Sequence, residues 1–200
     1  IIAPGTGLGE TFMLWENGRY LPYASEGGHT PFAPADKLQD RLLAYLRPKY
    51  PVISNDLVGA GRGIPLLYNF LRQIKHADEI ASVALELAKS KDPTPIIVRA
   101  ALAASPSPLC AATLELFVSI LASESANLAL KIMAGGGVFL GGGMSPRILP
   151  ILREKFMAAF ARHDVLQDLL ADMPVQVIME PKTALLGAAS LLMNPGVVGP

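Results

Sequence analysis

The sequence has one cysteine, Cys110. A lone thiol cannot close an internal disulfide or build a multi-cysteine zinc site, and it suits a reducing compartment. Charge of one sign is not in excess, with 17 Lys+Arg against 17 Asp+Glu. That balance leaves no electrostatic footprint for nucleic acid or for an acidic membrane surface. No uninterrupted apolar run reaches ~18 residues, so nothing reads as a transmembrane helix. The N-terminus lacks the charged-then-apolar layout of a secretory signal, and a cytoplasmic address is expected. No internal repeat and no low-complexity tail is present. What remains is 51% hydrophobic and 17% charged over 200 residues, enough to core one large domain or two small ones. The chain opens on Ile1 inside an apolar run that feeds a glycine turn, which reads as the interior of a longer protein.

Strand and helix patterns alternate along the chain. Ile1–Pro4 is a short apolar run stopped by Gly5-Thr6-Gly7-Leu8-Gly9. Thr11–Trp15 and Arg19–Tyr23 flank Asn17-Gly18, and Asn-Gly between two such runs predicts a hairpin because both residues tolerate positive φ. Residues 25–34 are rich in Gly and Pro and read as a loop outside regular structure. Asp36 can cap a helix over Lys37–Leu46, with Leu38, Leu42, Leu43 and Leu46 on one face. A second glycine cluster, Gly59–Gly63, leads into a helical segment with Leu66, Leu67, Phe70 and Leu71. Further helices are expected over Asp78–Lys89, Ile96–Ala104, Ala111–Met133, Ser145–Phe160 and Thr183–Met193, with strands at Val138–Leu140 and Val175–Met179. Lys91–Pro95 reads as a linker. Trp15 and the methionines read as packing. This order predicts an α/β domain.

Three glycine-rich stretches could carry chemistry. In Gly5-Thr6-Gly7-Leu8-Gly9, glycines let successive N–H groups converge on an anion, and Thr6 adds a hydroxyl donor. The stretch suits a phosphate or, equally, a tight hairpin connection. It is neither a Walker loop nor a G-x-G-x-x-G fingerprint. Glu26-Gly27-Gly28-His29 places a carboxylate and an imidazole where both can face one polar ligand such as a sugar. The alternative is a solvated loop. Gly136–Gly143 surrounds Val138-Phe139-Leu140 with small residues, which serves either ligand approach or close helix–strand packing. Asp56, ahead of Gly59–Gly63, reads as a solvated or capping carboxylate. Glu124 and Asn127 share a helix at three-residue spacing, which alone points to no function.

The order of these stretches is more specific than any one of them. Ile1–Gly9, Ser25–His29 with Phe32-Ala33-Pro34, Gly59–Ile64 with Leu67-Tyr68, Asn127–Leu130, Gly136–Arg147 and Leu185–Ala188 run in register with one family. Over nearly its whole length the chain resembles the bacterial glucokinases. The resemblance implies an actin/hexokinase-like (ribonuclease H-like) large lobe with a mixed sheet and flanking helices. Residues 1–200 would form the C-terminal lobe of a two-lobe kinase, without its smaller N-terminal lobe. It further implies phosphorylation of glucose at its 6-hydroxyl by ATP with Mg²⁺, and a homodimer with no nucleic-acid or membrane partner. By position, Gly5, Thr6 and Gly7 match the family's second phosphate-binding turn. Gly141, Gly142 and Gly143 match its adenosine-binding segment, and Glu26 and His29 match its glucose ligands. Asp56 stands where the family has a glucose-binding Glu, one methylene longer, and Ala60 stands where Ser is usual.

In the family the Asp-x-Gly-Gly-Thr phosphate motif and the Asn-Asp pair that supplies the base lie upstream of the stretch matching Ile1. No catalytic residue is therefore assigned within this chain. The related repressor/sugar-kinase family is the poorer match, because its zinc-holding cysteine cluster cannot be built from Cys110 alone. A stand-alone sugar- or nucleotide-binding module is the competing reading.

Overall fold

The computed structural model describes residues 1–193. Their sheet has five strands in the order β3-β2-β1-β4-β5. β1 (Ile2–Pro4) pairs antiparallel with β2 (Leu8–Glu16), which pairs antiparallel with β3 (Arg19–Ser25). On its other side β1 runs parallel to β4 (Val138–Leu140), and β4 runs parallel to β5 (Val175–Val177).

The β2–β3 hairpin turns at Asn17 and Gly18, with φ of 50° and 81°. Both residues take the left-handed conformation that a two-residue hairpin requires. Directly opposed aromatics reinforce the register: Phe12 stacks on Tyr23 at 5.5 Å, and Trp15 meets Tyr20 edge-on at 4.8 Å. Trp15, expected to serve packing, does so against Tyr20 and is otherwise largely exposed.

Side-chain caps start the first helices. Asp36 accepts from Gln39 N at 2.9 Å at the head of α1 (Lys37–Leu46), and Ser54 accepts from Leu57 N at 3.2 Å at the head of α2 (Asn55–Gly59). α3 (Ile64–Gln73), α4 (Ala81–Lys89) and α5 (Thr94–Ala101) follow. α3 and α5 pack on α6 (Pro108–Ile132), whose Leu109, Leu114, Phe117 and Leu121 are fully buried, and α4 packs on α5. α6 is long and apolar enough to cross a membrane, but it is the core helix of this fold, with most of its surface buried. It begins three residues earlier than its periodicity predicts. Pro108 occupies the first helical turn, where a missing N–H costs nothing.

The expected helix over 145–160 is two helices, α7 (Met144–Arg147) and α8 (Leu149–Phe160), broken at Ile148 with Pro150 restarting the second. α9 (Gln167–Ala171) has no counterpart in the sequence reading. α10 (Thr183–Met193) carries Leu185, Leu186, Leu192 and Met193 on exposed faces and buries none of its residues among those described.

Candidate functional site

The site forms where β1 ends. Pro4 leads into Gly5-Thr6-Gly7, a turn closed by a hydrogen bond from Gly5 N to Gly7 O at 2.8 Å. The Gly5 carbonyl accepts from Gly61 N at 2.8 Å, and the Gly61 carbonyl accepts from Thr94 Oγ1 at 3.2 Å. Three segments distant in sequence are thereby stitched together. They border a cavity of about 820 Å³, lined by Gly5, Thr6, Arg62, Thr94, Gly143 and Arg147 among others.

Three arginines and one carboxylate, Asp92, line the cavity. Arg62 is bonded to Asp56, and Arg99 is held bidentate by Glu86, with both contacts at 2.6 Å. Arg147 has no ion-pair partner among the described residues, so its charge is available to an anion.

Gly141 and Gly142 stand behind this cavity. Gly141 N donates to Ile2 O at 2.8 Å, continuing the β1–β4 ladder. Gly142 has φ of 72°, and a Cβ placed on it would lie 2.5 Å from the Pro4 carbonyl oxygen. Only glycine allows that approach. Gly143, in contrast, opens into the cavity.

The Leu8 peptide joins the Gly5-Thr6-Gly7 turn to the other two motifs. Leu8 N donates to Asp56 Oδ1 at 2.7 Å, in a buried contact. On its other side the Leu8 carbonyl abuts Gly28, where a Cβ would come within 2.3 Å of that oxygen. Residues 25–34, expected to lie outside regular structure, instead contain a 3₁₀ turn over Gly27–His29 and a bridge from Pro31 to Ser54. The backbone hydrogen bonds His29 N to Glu26 O (3.0 Å) and Thr30 N to Gly27 O (2.9 Å) hold that turn. Glu26 and His29 project from it, largely exposed, with Oε2 and Nε2 3.8 Å apart. They do not line the cavity. They stand beside it, on the turn that leans on Leu8.

Asp56 is buried rather than solvated. Its two oxygens are taken by Leu8 N and by Arg62. The neighbouring Asn55 is also committed, with Nδ2 donating to Thr30 Oγ1 at 3.1 Å. This Asn-Asp dipeptide is therefore a structural joint and holds no unengaged carboxylate oxygen for a base.

Beneath the turn lies a buried acidic pair that the sequence did not advertise. Glu10 on β2 is 8% exposed and Glu124 on α6 is 3% exposed, and one oxygen of each lacks a hydrogen-bond partner among the described residues. Burial pushes the Glu10 carboxyl up to about 7; the charge of Glu124 adds to the push, while Lys131 and the α-amino group of Ile1 oppose it. Burial likewise raises Glu124, against a 2.9 Å hydrogen bond from Asn127 and the charge of Lys131.

With this geometry in view, comparison with known proteins decides the family. The sequence profile of the glucokinase family matches residues 1–195. The chain belongs to the glucokinase family. It is 37% identical to the glucokinase of Trichormus variabilis, an alignment covering 94% of this chain and 59% of that protein. To the glucokinase of Neisseria meningitidis serogroup C it is 32% identical, with coverages of 97% and 56%. The solved glucokinase of an Antarctic psychrotroph matches with a TM-score of 0.74 at 28% identity, over 96% of this chain and 57% of that one. The fold is thus the actin/hexokinase-like kinase fold, and this glucokinase-family chain spans less than three fifths of the length of these relatives.

The resemblance in sequence points to the two turns and the Gly141–Gly143 segment. It does not single out Arg62, Thr94 or Arg147, which the structure brings to the cavity wall. Arg62 lies in plain sight inside the glycine cluster. Thr94 falls in a stretch that reads as a linker, and only the folded chain carries it to Gly61.

Proposed function

We propose that this chain is the larger lobe of a two-lobe glucokinase that transfers the γ-phosphoryl group of ATP to the 6-hydroxyl of glucose, giving glucose 6-phosphate and ADP. One observation carries the reading. The glycine turn bordering an arginine-lined cavity and the turn bearing Glu26 and His29 meet at one peptide, Leu8. A donor phosphate on the first turn and a sugar on the second would be neighbours, and phosphoryl transfer depends chiefly on positioning and charge stabilisation.

In this reading Gly5, Thr6 and Gly7 hold phosphate oxygens, Arg62 and Arg147 supply positive charge, and Gly141–Gly143 border the adenosine. Glu26 and His29 bond the sugar hydroxyls. Asp56, the third sugar residue by position, gains a free oxygen when Arg62 turns toward the nucleotide. Among the described residues no group of His, Cys, Asp or Glu is assembled to hold a metal. Mg²⁺ is accordingly proposed to enter as part of the MgATP substrate, bound chiefly by phosphate and water as this ion prefers.

The proton of the 6-hydroxyl is proposed to pass to a base on a second lobe. The exposed apolar faces of α10 support such a lobe, since a surface of that kind calls for a cover. A homodimer is proposed from the family resemblance, and a cytoplasmic address is proposed because the lone Cys110 suits a reducing compartment.

The test is ADP release on glucose addition, measured on the longest protein encoded by this reading frame beside the 200-residue chain. Turnover by the longer protein alone is expected. Turnover by neither favours the non-catalytic binding module.

Two substitutions separate the half-sites. Glu26→Ala is expected to raise the KM for glucose by about 100-fold or more, because a sugar hydroxyl loses a charged acceptor. Its KM for ATP should stay within about twofold, and unchanged glucose kinetics would remove Glu26 from the sugar site. Thr6→Val keeps the shape of the side chain and deletes the hydroxyl, so its KM for ATP should rise about tenfold, the worth of one hydrogen bond to a charged group. A larger effect on glucose than on ATP would overturn the assignment of this turn to phosphate.

A further inference from the structure

Glu10 takes no part in the phosphoryl transfer just described, yet it lies directly under the sugar turn. It pairs with Ser25 across the β2–β3 ladder and shares a buried face of β2 with Leu8. The Gly27–His29 turn crosses that face: Gly28 rests on the Leu8 carbonyl, and Gly27 rests on the Glu10 carboxyl. A Cβ on Gly27 would overlap Glu10 Oε2, at 1.9 Å, and touch its Cδ at 3.0 Å. The rest of the turn is fastened from the sides, by Gly27 N to Ser25 Oγ at 3.0 Å and Thr30 Oγ1 to Gly27 O at 2.7 Å. From below, Glu10 is its support.

That support sits in an awkward electrostatic place. Glu124 faces it from α6, and each carboxyl has one buried oxygen without a partner among the described residues. The cations within reach are Lys131, also on α6, and the α-amino group of Ile1 on the β1 side, which would be an uncharged amide in any longer chain. Glu26 and His29 on the turn itself are solvated. Two ionised carboxylates in this pocket would repel with little water to screen them, so one proton must stay or one side chain must leave.

We propose that Glu10 is a positioning residue for the sugar: as a neutral carboxylic acid it supports the Gly27–His29 turn, and on losing its proton it moves from under Gly27 and unseats Glu26 and His29. This rests on the proposed reading of Glu26 and His29 as sugar ligands. Its consequence is a glucose affinity that falls as pH rises through neutrality, while the ATP half-site, fixed to the other side of Leu8, is spared. The carboxyl is pushed up to about 7 against the Ile1 charge, and a longer chain lacks that opposition, so with only the protonated form competent the KM for glucose should rise by up to about tenfold from pH 6 to pH 8.

The experiment compares the longest protein of this reading frame with its Glu10→Gln and Glu10→Ala variants, following KM for glucose, KM for ATP and kcat from about pH 6 to about 8.5, a span that brackets the titration. Glu10→Gln keeps the shape and is neutral throughout, so its KM for glucose should be low and flat. Glu10→Ala removes the support and should show a high KM for glucose at every pH, with the KM for ATP unmoved. A rise in KM that persists in Glu10→Gln would belong to another group and overturn the proposal. Equal glucose KM values in all three proteins would overturn it too. Absence of glucose turnover in the unsubstituted protein at any pH would instead sink the glucokinase reading, and this inference with it.

A melting series supplies a readout independent of turnover. The folded state holds the Glu10 proton to about pH 7, whereas the unfolded chain releases it near 4.5. Stability must therefore fall between those values as pH rises, and Glu10→Gln should flatten that fall. Parallel curves for the two proteins would show that Glu10 does not carry the proton.

Discussion

Asp56→Ala is expected to lower the melting temperature by roughly 6–12 °C, about 3 kcal/mol in a protein of this size. Two partners lose a carboxylate, and they do not weigh equally. Arg62 is more than half exposed, so water and salt replace most of what Asp56 gives it. Leu8 N is buried, and without Asp56 Oδ1 its hydrogen bond has no successor. An orphaned buried N–H costs about 1–3 kcal/mol, and the lost bond was to a charged acceptor, the stronger kind.

The damage reaches function through the same atom. Leu8 separates the proposed phosphate turn from the turn carrying Glu26 and His29, the proposed sugar ligands, so loosening its peptide should raise the KM for both ATP and glucose. Asp56→Asn discriminates: its amide oxygen can still accept from Leu8 N, while its NH₂ group faces Arg62. Most of the melting temperature should return. If Asp56→Asn melts as low as Asp56→Ala, the Arg62 contact is the one that matters, and the order of the two partners is reversed.

Much of the fold was visible in the sequence, and the reasons are local. Asn17-Gly18 could turn only one way between two β-rich runs. Asp36 marked the start of α1 because its side chain competes for the first free N–H groups. The glycines of both turns stood out because backbone must approach backbone there. Boundaries failed around prolines: Pro108 starts α6 ahead of the expected Ala111, and Pro150, inside the helix expected over Ser145–Phe160, starts a second helix, since a proline in the first turn withholds an N–H that has no partner there anyway.

The burial of Asp56 was missed for a different reason. A carboxylate in a glycine-rich stretch reads as solvated, and nothing nearby in sequence announces that Leu8, 48 residues away, will donate to it. Glu10 was hidden in the same way. One glutamate in a strand reads as a residue on the wet face until α6 brings Glu124 against it.

The second large effect is expected at Gly142. Gly142→Ala should cost about 2–4 kcal/mol, the sum of a left-handed conformation for a residue with a Cβ and an overlap that cannot relax. The overlap is with backbone: the new methyl would lie 2.5 Å from the Pro4 carbonyl oxygen, 2.9 Å from its carbon and 3.1 Å from the Ala3 carbonyl carbon. β1 cannot retreat, because it is hydrogen-bonded to β2 on one edge and to β4 on the other. What can give is the end of β1, which is the entry to Gly5-Thr6-Gly7. The strain is thus delivered to the proposed phosphate turn, and the KM for ATP should rise by more than that for glucose. Gly143→Ala is the control, next in sequence and on the same loop. Its φ is −72°, and a Cβ there meets nothing within 4 Å. It should leave stability within about 0.5 kcal/mol, as surface substitutions usually do. Equal melting temperatures for the two variants would mean that Gly142 does not bear on Pro4, and that the link from β4 to the phosphate turn runs elsewhere.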